Sequence, residues 1–405
     1  MKTSEKLSRR RFLAGLGLSA LGVMGLYAAY RLSNPQVAEI QSSITTSSQV
    51  GSQTSTFAFH VETVLENLMI PWSLAFAPDG RMFFTERVGR INVVAPNSSK
   101  PSLFSEVPVE NVGEGGLLGL ALSPEFETDH FVYVYQTYRL GAALRNRVVR
   151  FNDQNGVGTD SQVIVDDIPG ANIHDGGRIR FGPDEKLYIG TGDSANGPLA
   201  QNPQSLAGKI LRVNPDGSIP SDNPFPNSPI YSYGHRNVQG FDWHPLNGKM
   251  YETEHGPTGE QGRFANDEVN QINPGRNYGW PLVICKANDP RFVDPVFCTG
   301  DNETWAPSGC SFYKPEKASL ENLFHEWEYS FFIATLRGEH LHRFMFNSQT
   351  GAIEGSEKLL QGSFGRLRDA VQGPDGLLYI LTSNRDGRGS AAPGDDRILR
   401  LRPAA

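Results

Sequence analysis

The chain has 405 residues, with 37 Lys and Arg against 44 Asp and Glu and a net charge of −7. A hydrophobic fraction of 38% with 10% aromatics excludes a disordered chain, and three Cys are too few for a scaffold built on disulfides. The mild acidity argues against a nucleic-acid partner, while 43 Gly and 27 Pro indicate many turns between short strands rather than a mostly helical enzyme.

The first 30 residues have the architecture of an export signal, a basic start followed by an uncharged run over residues 12–30. The motif SRRRFL, which begins at Ser8, resembles a twin-arginine signal. The same run is long enough to span a bilayer, so an uncleaved membrane anchor stays open. We therefore expect a protein that is exported to the periplasm, the extracellular space or the cell surface.

A linker rich in Ser and Thr is predicted over residues 31–56, and the folded domain over residues 57–405. Export makes disulfides possible in this domain. Cys285 and Cys298 bracket one loop-like stretch and are a candidate pair that leaves Cys310 free, although all three pairings stay open.

Five segments of the domain share an alternating strand, a turn built on Pro-Asp-Gly or a close variant, and a second alternating strand. Proline fixes one turn dihedral, Asp bonds to its own backbone and Gly takes a positive φ, so each segment predicts a β-hairpin. The turn prolines are Pro78, Pro124, Pro183, Pro245 and Pro374. The last interval is about twice the others, which predicts a degenerate sixth copy around residues 331–346.

Six such copies predict an all-β fold, a six-bladed β-propeller of four-stranded antiparallel blades. A single hairpin cannot bury its apolar face, whereas six sheets around an axis can. A pair of β-sandwiches is the competing architecture, but it does not require a shared hairpin repeat. We expect residues 60–65 to close the ring against the last blade, and the functional residues to lie in loops beside the repeats rather than in the hairpin turns.

Motif searches exclude several enzyme classes, because the sequence has no phosphate-binding loop, HExxH zinc motif, GxSxG elbow or dinucleotide fingerprint in a strand–helix setting. Polar clusters instead follow the repeats. The segments GLLGLALSPEF, NIHDGGRIRFGPD, YGHRNVQG, EHGP, NYGWP, LRGEHL and GRLRD occur in this order between residues 60 and 402. In this order they resemble the soluble pyrroloquinoline-quinone (PQQ) sugar dehydrogenases, the glucose/sorbosone dehydrogenase family.

The resemblance implies PQQ and Ca²⁺ at the axial mouth of a propeller that oxidises aldose sugars. His174 then corresponds to the general base that takes the proton from the anomeric hydroxyl, a role suited to a neutral imidazole. Arg236 and Asn237 correspond to the pair that binds the quinone oxygens, where Arg236 would stabilise the charge that develops on the reduced quinone.

Further cofactor contacts are implied at basic positions. Arg366 and Arg368, two apart on one strand, would hold PQQ carboxylates, and Arg337 falls where some relatives have Lys. Glu114 falls where relatives have Gln, and its carboxylate would repel PQQ unless it is protonated or turned toward a cation.

Metal ligands are implied within the segment EHGP and in the residues that follow it. The carbonyls of Gly256 and Pro257 correspond to ligands of the cofactor calcium, which would polarise the quinone. Glu268 and the carbonyl of Tyr278 correspond to a second, structural calcium site. The alternative for Asp267 and Glu268 is an exposed acidic turn.

The implied reaction transfers hydride from the sugar to PQQ and forms a lactone, after which an external electron acceptor reoxidises the cofactor. Two other functions stay open. One is a calcium-dependent propeller lactonase, which would need side-chain carboxylates on the metal, and the other is a non-catalytic propeller that binds glycans at the cell surface.

Overall fold

A computed structural model describes residues 59–319, 321–347 and 349–404. Within these residues, 24 strands form six four-stranded antiparallel sheets, so the predicted six-bladed β-propeller is confirmed. The predicted export signal and linker lie outside the described residues. No helix in the described residues is long and apolar enough to cross a membrane.

The first strand of the chain, β1 (Phe59–Leu65), belongs to the sixth blade. The first blade consists of β2 (Pro71–Phe76), β3 (Met82–Glu86), β4 (Arg90–Val94) and β5 (Ser102–Glu106). The second consists of β6 (Leu117–Leu122), β7 (Phe131–Leu140), β8 (Ala143–Gln154) and β9 (Val157–Pro169). The third consists of β10 (Ile179–Phe181), β11 (Leu187–Gly190), β12 (Lys209–Val213) and β13 (Ile230–Tyr233).

The remaining blades follow in chain order. The fourth consists of β14 (Val238–Trp243), β15 (Met250–Glu254), β16 (Glu268–Ile272) and β17 (Phe297–Cys298). The fifth consists of β18 (Pro307–Phe312), β19 (Phe331–Thr335), β20 (Leu341–Phe346) and β21 (Ile353–Leu359). The sixth consists of β22 (Leu367–Gln372), β23 (Leu378–Thr382), β24 (Ile398–Pro403) and β1.

Helical segments are short and lie in the connections. The helix α1 (Phe126–Asp129) joins β6 to β7. The 3₁₀ turns are Gly197–Gln201, Glu260–Gly262, Pro315–Lys317 and His325–Trp327.

The hairpin turns form as their composition predicts. In the β2–β3 turn, Asp79 Oδ1 accepts the backbone N–H of Arg81 at 3.0 Å and Gly80 has a φ of 87°. In the β22–β23 turn, Asp375 Oδ1 accepts the N–H of Leu377 at 3.2 Å, and Asp375 Oδ2 also accepts the hydroxyl of Tyr379 at 2.9 Å. Asp375 therefore stabilises both the turn and the strand β23 that follows it.

The ring closes as predicted, because β1 pairs antiparallel with β24 and places Val61 opposite Leu401. The side chains of Glu62 and Arg400 add an ion pair of 2.6 Å between the two strands. The N- and C-terminal ends of the described chain thus share one blade.

The sixth copy predicted around residues 331–346 forms a hairpin, β19–β20. It consists of the second and third strands of the fifth blade, whereas the other five hairpins consist of the first and second strands of their blades. The first hairpin of that blade is β18–β19, whose strands are joined by residues 313–330 instead of a tight turn. The long connection removed the Pro-Asp-Gly signal.

Apolar layers fill the space between adjacent blades, for example Phe83, Phe104 and Val134 between the first and second. At the axis, the guanidinium of Arg178 forms a buried ion pair of 2.8 Å with Asp369 and lies 4.3 Å from the ring centroid of Trp72. This contact joins the inner ends of blades one, three and six.

One of the three possible disulfide pairings is present. Cys285 and Cys298 are bonded, and Cys310 is a buried free thiol.

Candidate active site

An axial cavity of about 410 Å³ lies where connections from around the ring converge. It is lined by Trp72, Arg87, Gly113, Glu114, Asp175, Gly176, Gln239, His255, Leu336, Arg368, Asp386 and Arg388. Because the strands of a blade alternate in direction, the connections between blades and those between second and third strands share one end of the propeller. None of the five turn prolines is among the lining residues, which agrees with the expected position of the site.

His174 lies in the connection between β9 and β10, next to the lining residues Asp175 and Gly176. His174 is 5% exposed, and its Nδ1 lies 2.7 Å from Asp193 Oδ1. Trp280 Nε1 donates to the other oxygen of Asp193 at 2.7 Å. The Asp193 carboxylate accepts a hydrogen bond from the N–H at Nδ1 of His174. This tautomer leaves the lone pair of the imidazole on Nε2.

Asp193 was missed by the sequence reasoning. It follows β11 in the segment Thr191-Gly192-Asp193, which carries no recognisable motif, and only the fold brings it to the imidazole. Trp280 itself lines a neighbouring cavity.

Arg366 and Arg368 turn to the same side of the sixth blade, as their spacing predicts. Both guanidiniums approach Asp386 Oδ2, Arg366 at 2.8 Å and Arg368 at 4.0 Å. Arg368 also donates to Gln239 Oε1 at 3.0 Å. Burial lowers the pKa of Arg368 to about 9, which still leaves the side chain charged at neutral pH.

The carboxylate of Glu114 is turned toward a cation, which is one of the two arrangements that would keep it from repelling PQQ. Its Oε1 lies 2.6 Å from Arg388 Nη1, and its Oε2 accepts the backbone N–H of His174 at 2.8 Å. Burial opposes its ionisation, but attraction from a protonated His255 and from Arg388, with both hydrogen bonds, lowers its pKa to about 2. Since burial lowers the pKa of His255 to about 3, Arg388 supplies the positive charge at neutral pH.

Arg337, expected to hold a carboxylate, is exposed and does not line the axial cavity, whereas its neighbour Leu336 does. Its role stays a prediction. Arg388 and Asp386 were missed, because isolated charges in a Gly-rich connection carry no pattern that separates them from a solvated surface.

A second cavity of about 250 Å³ shares His255 with the first. All four predicted metal-ligand residues line it, namely Gly256, Pro257, Glu268 and Tyr278. Arg236 lines it as well, donates to the carbonyl of His255 at 3.2 Å and pairs with Glu260 at 2.6 Å.

The exposed acidic turn considered for Asp267 and Glu268 is wrong. Asp267 is buried and its carboxylate accepts the backbone N–H groups of Gly256 at 2.9 Å and Trp305 at 2.6 Å. Glu268 Oε1 accepts the N–H of Cys285 at 2.8 Å. Burial and the charge of a nearby glutamate raise the pKa of Glu268. The two carboxylates therefore hold the surrounding loops in place through hydrogen bonds to backbone N–H groups.

The family model described as Glucose / Sorbosone dehydrogenase matches residues 68–399. The chain belongs to this family. The resemblance seen in the ordered motifs is thereby confirmed, and the family is one of sugar dehydrogenases, which are oxidoreductases.

This sugar dehydrogenase is similar to named enzymes and to proteins of known structure. The aldose sugar dehydrogenase YliI of Escherichia coli is 31% identical over 361 residues, which cover 81% of this chain and 91% of the relative. The quinoprotein glucose dehydrogenase B of Acinetobacter calcoaceticus is 31% identical over 61% of this chain and 57% of its own. The PQQ-bound aldose sugar dehydrogenase of Streptomyces coelicolor is 38% identical, covers 85% of this chain and 98% of its own, and superposes with a TM-score of 0.74.

Unpaired donors occur on residues that line the two cavities of the sugar dehydrogenase, Arg87 and Arg368 at the first and Arg236 at the second, and on Asn237 next to Arg236. Four buried nitrogens have no hydrogen-bond partner in the described residues, namely Arg87 Nε, Arg236 Nε, Asn237 Nδ2 and Arg368 Nε. Buried donors of this kind are costly unless a ligand with acceptor oxygens completes them. The residues present therefore fit a compact anionic ligand such as PQQ.

Proposed function

We propose that this sugar dehydrogenase oxidises aldoses to lactones with PQQ and Ca²⁺, and that His174 is the general base. The observation that carries the proposal is the imidazole–carboxylate pair His174–Asp193 beside a cavity ringed by arginines and unpaired donors. PQQ, when bound, supplies a quinone that accepts the hydride.

Each site residue then has a task in the proposed reaction. Arg366 and Arg368 bind carboxylates of the cofactor, and Arg236 and Asn237 donate to its oxygens. His174 Nε2 takes the hydroxyl proton of the sugar, and Asp193 stabilises the imidazolium that results.

The calcium proposal depends on oxygen donors at the second cavity. The carbonyls of Gly256 and Pro257 would hold one ion that polarises the cofactor. Glu268 and the carbonyl of Tyr278 would hold a structural ion. The lining of this cavity, which includes all four residues, supports the assignment.

The carboxylates of the axial cavity disfavour the lactonase alternative. Three carboxylates line that cavity, and Glu114 and Asp386 are each paired with an arginine. Asp175 Oδ1 accepts Asn146 Nδ2 at 3.0 Å and the N–H of Ala171 at 3.1 Å, so Asp175 Oδ2 is the one oxygen of the three carboxylates without a partner in the described residues, whereas a catalytic metal needs several. A glycan-binding propeller would have no need for an imidazole whose tautomer is fixed by a buried carboxylate.

Reconstitution tests the proposal. Apoprotein is supplied with PQQ and Ca²⁺ and assayed for dye reduction with a panel of aldoses, with His174→Gln as the inactive control. Dye reduction by the wild type alone supports the proposal. Lactone hydrolysis without PQQ would support the hydrolase, and glycan binding without turnover would support the binding module.

The cellular setting is also proposed. The twin-arginine motif at Ser8 supports export to the periplasm, the extracellular space or the cell surface, and an external electron acceptor would reoxidise the cofactor there. Cell fractionation of the tagged full-length chain, compared with a chain carrying Arg9→Lys and Arg10→Lys, tests the export route.

A further inference from the structure

Beside the second cavity, blade four encloses a cluster of polar side chains that the proposed reaction does not use. Glu252 and Glu254 are two apart on β15, and Glu268 and Asn270 are two apart on β16. The strand register pairs Glu252 with Asn270 and Glu254 with Glu268. Since residues two apart on a strand share a face, all four side chains point to the same side of the sheet.

Three carboxylates converge on one amide nitrogen. Asn270 Nδ2 lies 2.8 Å from Glu252 Oε1, 3.3 Å from Glu254 Oε1 and 3.2 Å from Glu268 Oε2. An amide NH₂ has two hydrogens and no charge, so it satisfies these acceptors incompletely. In the described ranges, the ion-pair contacts of these glutamates are those of Glu252 and Glu254 with His235, and none is with a Lys or Arg side chain. The amide thus occupies the position that a cation would take.

The cluster also contains buried polar atoms without a partner in the described chain, namely His235 Nδ1, Glu252 Oε2 and Asn270 Oδ1. The side chains of all three residues are fully buried. Buried polar atoms are nearly always hydrogen-bonded or bound to an ion, so three in one cluster require an explanation.

The imidazole of His235 is prepared to be a ligand. Its Nε2 lies 2.9 Å from Ser232 Oγ, so a proton on Nε2 can be donated to that hydroxyl, which leaves a lone pair on Nδ1. Nδ1 lies 3.6 Å from Glu254 Oε1 and 3.8 Å from Glu252 Oε1. Ligand atoms around a zinc-sized ion with bonds of about 2.0–2.2 Å lie roughly 3.0–3.6 Å apart, so small side-chain shifts complete the geometry.

We propose that His235, Glu252 and Glu254 bind a divalent transition-metal ion, and that Asn270 contributes its Oδ1 after rotation of its amide. One imidazole nitrogen with carboxylate oxygens suits Zn²⁺ or Mn²⁺, whereas Ca²⁺ takes oxygen ligands only. The site is therefore distinct from the calcium site proposed at Glu268 and Tyr278, which it adjoins. The bound ion would fix the rim of blade four, because Glu254 Oε2 also accepts the backbone N–H of Arg236 at 2.6 Å.

Metal analysis of the whole protein tests this site without any assay of turnover. Chelator-treated protein is saturated with Ca²⁺, then titrated separately with Zn²⁺ and Mn²⁺, and bound metal is counted by mass spectrometry. We expect about one transition ion per chain, and a nitrogen coupling from an imidazole in the pulsed EPR spectrum of the Mn²⁺ form.

Two variants make the test specific. Glu252→Gln keeps the side-chain shape and should lose at least about tenfold in Zn²⁺ affinity. Asp289→Asn changes a partly exposed carboxylate between β16 and β17 that pairs with Arg291, and it should leave the Zn²⁺ affinity unchanged. The proposal is overturned if the Ca²⁺-saturated wild type takes up neither ion, if the Mn²⁺ form shows no nitrogen coupling, or if Glu252→Gln binds Zn²⁺ as the wild type does. PQQ binding, measured in parallel, tests the proposed reaction independently.

Discussion

At the scale of single residues, the site depends on pairs in which one side chain sets the state of another. His174 and Asp193 form such a pair, with Trp280 as the outer partner of the carboxylate. In a buried position the carboxylate fixes the tautomer and stabilises the positive charge that the imidazole gains as a base.

Asp193→Asn is expected to reduce turnover by about 10²-fold or more, because Asn can accept at Nδ1 but cannot stabilise the imidazolium. PQQ affinity should stay unchanged, since Asp193 does not line the axial cavity. Steady-state kinetics of the reconstituted enzyme measure the loss. Asp184→Asn, a turn carboxylate of the same blade that bonds Tyr188, is the matched control. Equal losses in both variants would mean that Asp193 acts only through the stability of the blade.

Glu114 provides a prediction with a defined pH window. Its folded pKa of about 2 lies below its usual value, so its ion pair stabilises the protein above about pH 4.5 and this stabilisation is lost as the pH falls toward 2. At pH 7 His255 is neutral and the half-exposed Arg388 alone supplies the attraction, so Glu114→Gln should lower the free energy of unfolding by about 1 kcal/mol at pH 7 and by little near pH 2. Denaturant unfolding at both pH values measures the difference. A difference of the same size at both would contradict the ionised pair.

The residue types of the site could be predicted from sequence, but many of their partners could not. His174, Arg366 and Arg368 stand in motifs that match the family. Asp193 and Arg388 stand in none, and Arg388 meets Glu114 across 274 residues of chain. Contacts of this kind form only when the ring closes and brings distant parts of the chain together. A short window of sequence therefore does not predict them.

At the scale of elements, the Pro-Asp-Gly hairpins explain why the fold was predictable. Their turn chemistry is local, so a short window of sequence is sufficient to identify each one. The exception is the first hairpin of blade five, where residues 313–330 replace the turn by a connection with two 3₁₀ turns. A long connection has no fixed dihedral requirement and therefore leaves no signature.

Two turn glycines with similar dihedrals are expected to differ in tolerance. Gly80 has a φ of 87° and an added Cβ would lie 3.4 Å from its nearest neighbour, whereas Gly376 has a φ of 81° and its Cβ would lie 2.3 Å from the Cα of Ala318. Gly80→Ala should cost about 1–2 kcal/mol from the left-handed backbone alone. Gly376→Ala should cost more, because a backbone atom must move. Equal losses in the free energy of unfolding would show that the backbone at Ala318 moves without a measurable cost.

At the scale of the whole molecule, the cavity exists only because the ring closes. Its lining residues come from the first strands of three blades and from connections around the ring, and β1 completes the sixth blade from the opposite end of the sequence. His174 lies in the connection between blades two and three, and the arginine pair lies in blade six. No two adjacent blades contain both, so the chemistry belongs to the assembled propeller. The pairing of residues 60–65 with the last blade was expected from the propeller fold, whereas the side-chain partners that the closure brings together were not.

The most direct test of the central proposal is the PQQ dissociation constant of two variants, measured by titration of apoprotein in the presence of Ca²⁺. Arg368→Gln should raise the constant at least about 30-fold, which corresponds to about 2 kcal/mol, because a buried charge-assisted contact is lost. His174→Gln should leave it within about twofold, because the imidazole is proposed to act on the sugar. An unchanged constant for Arg368→Gln, or an equal rise for His174→Gln, would contradict the account.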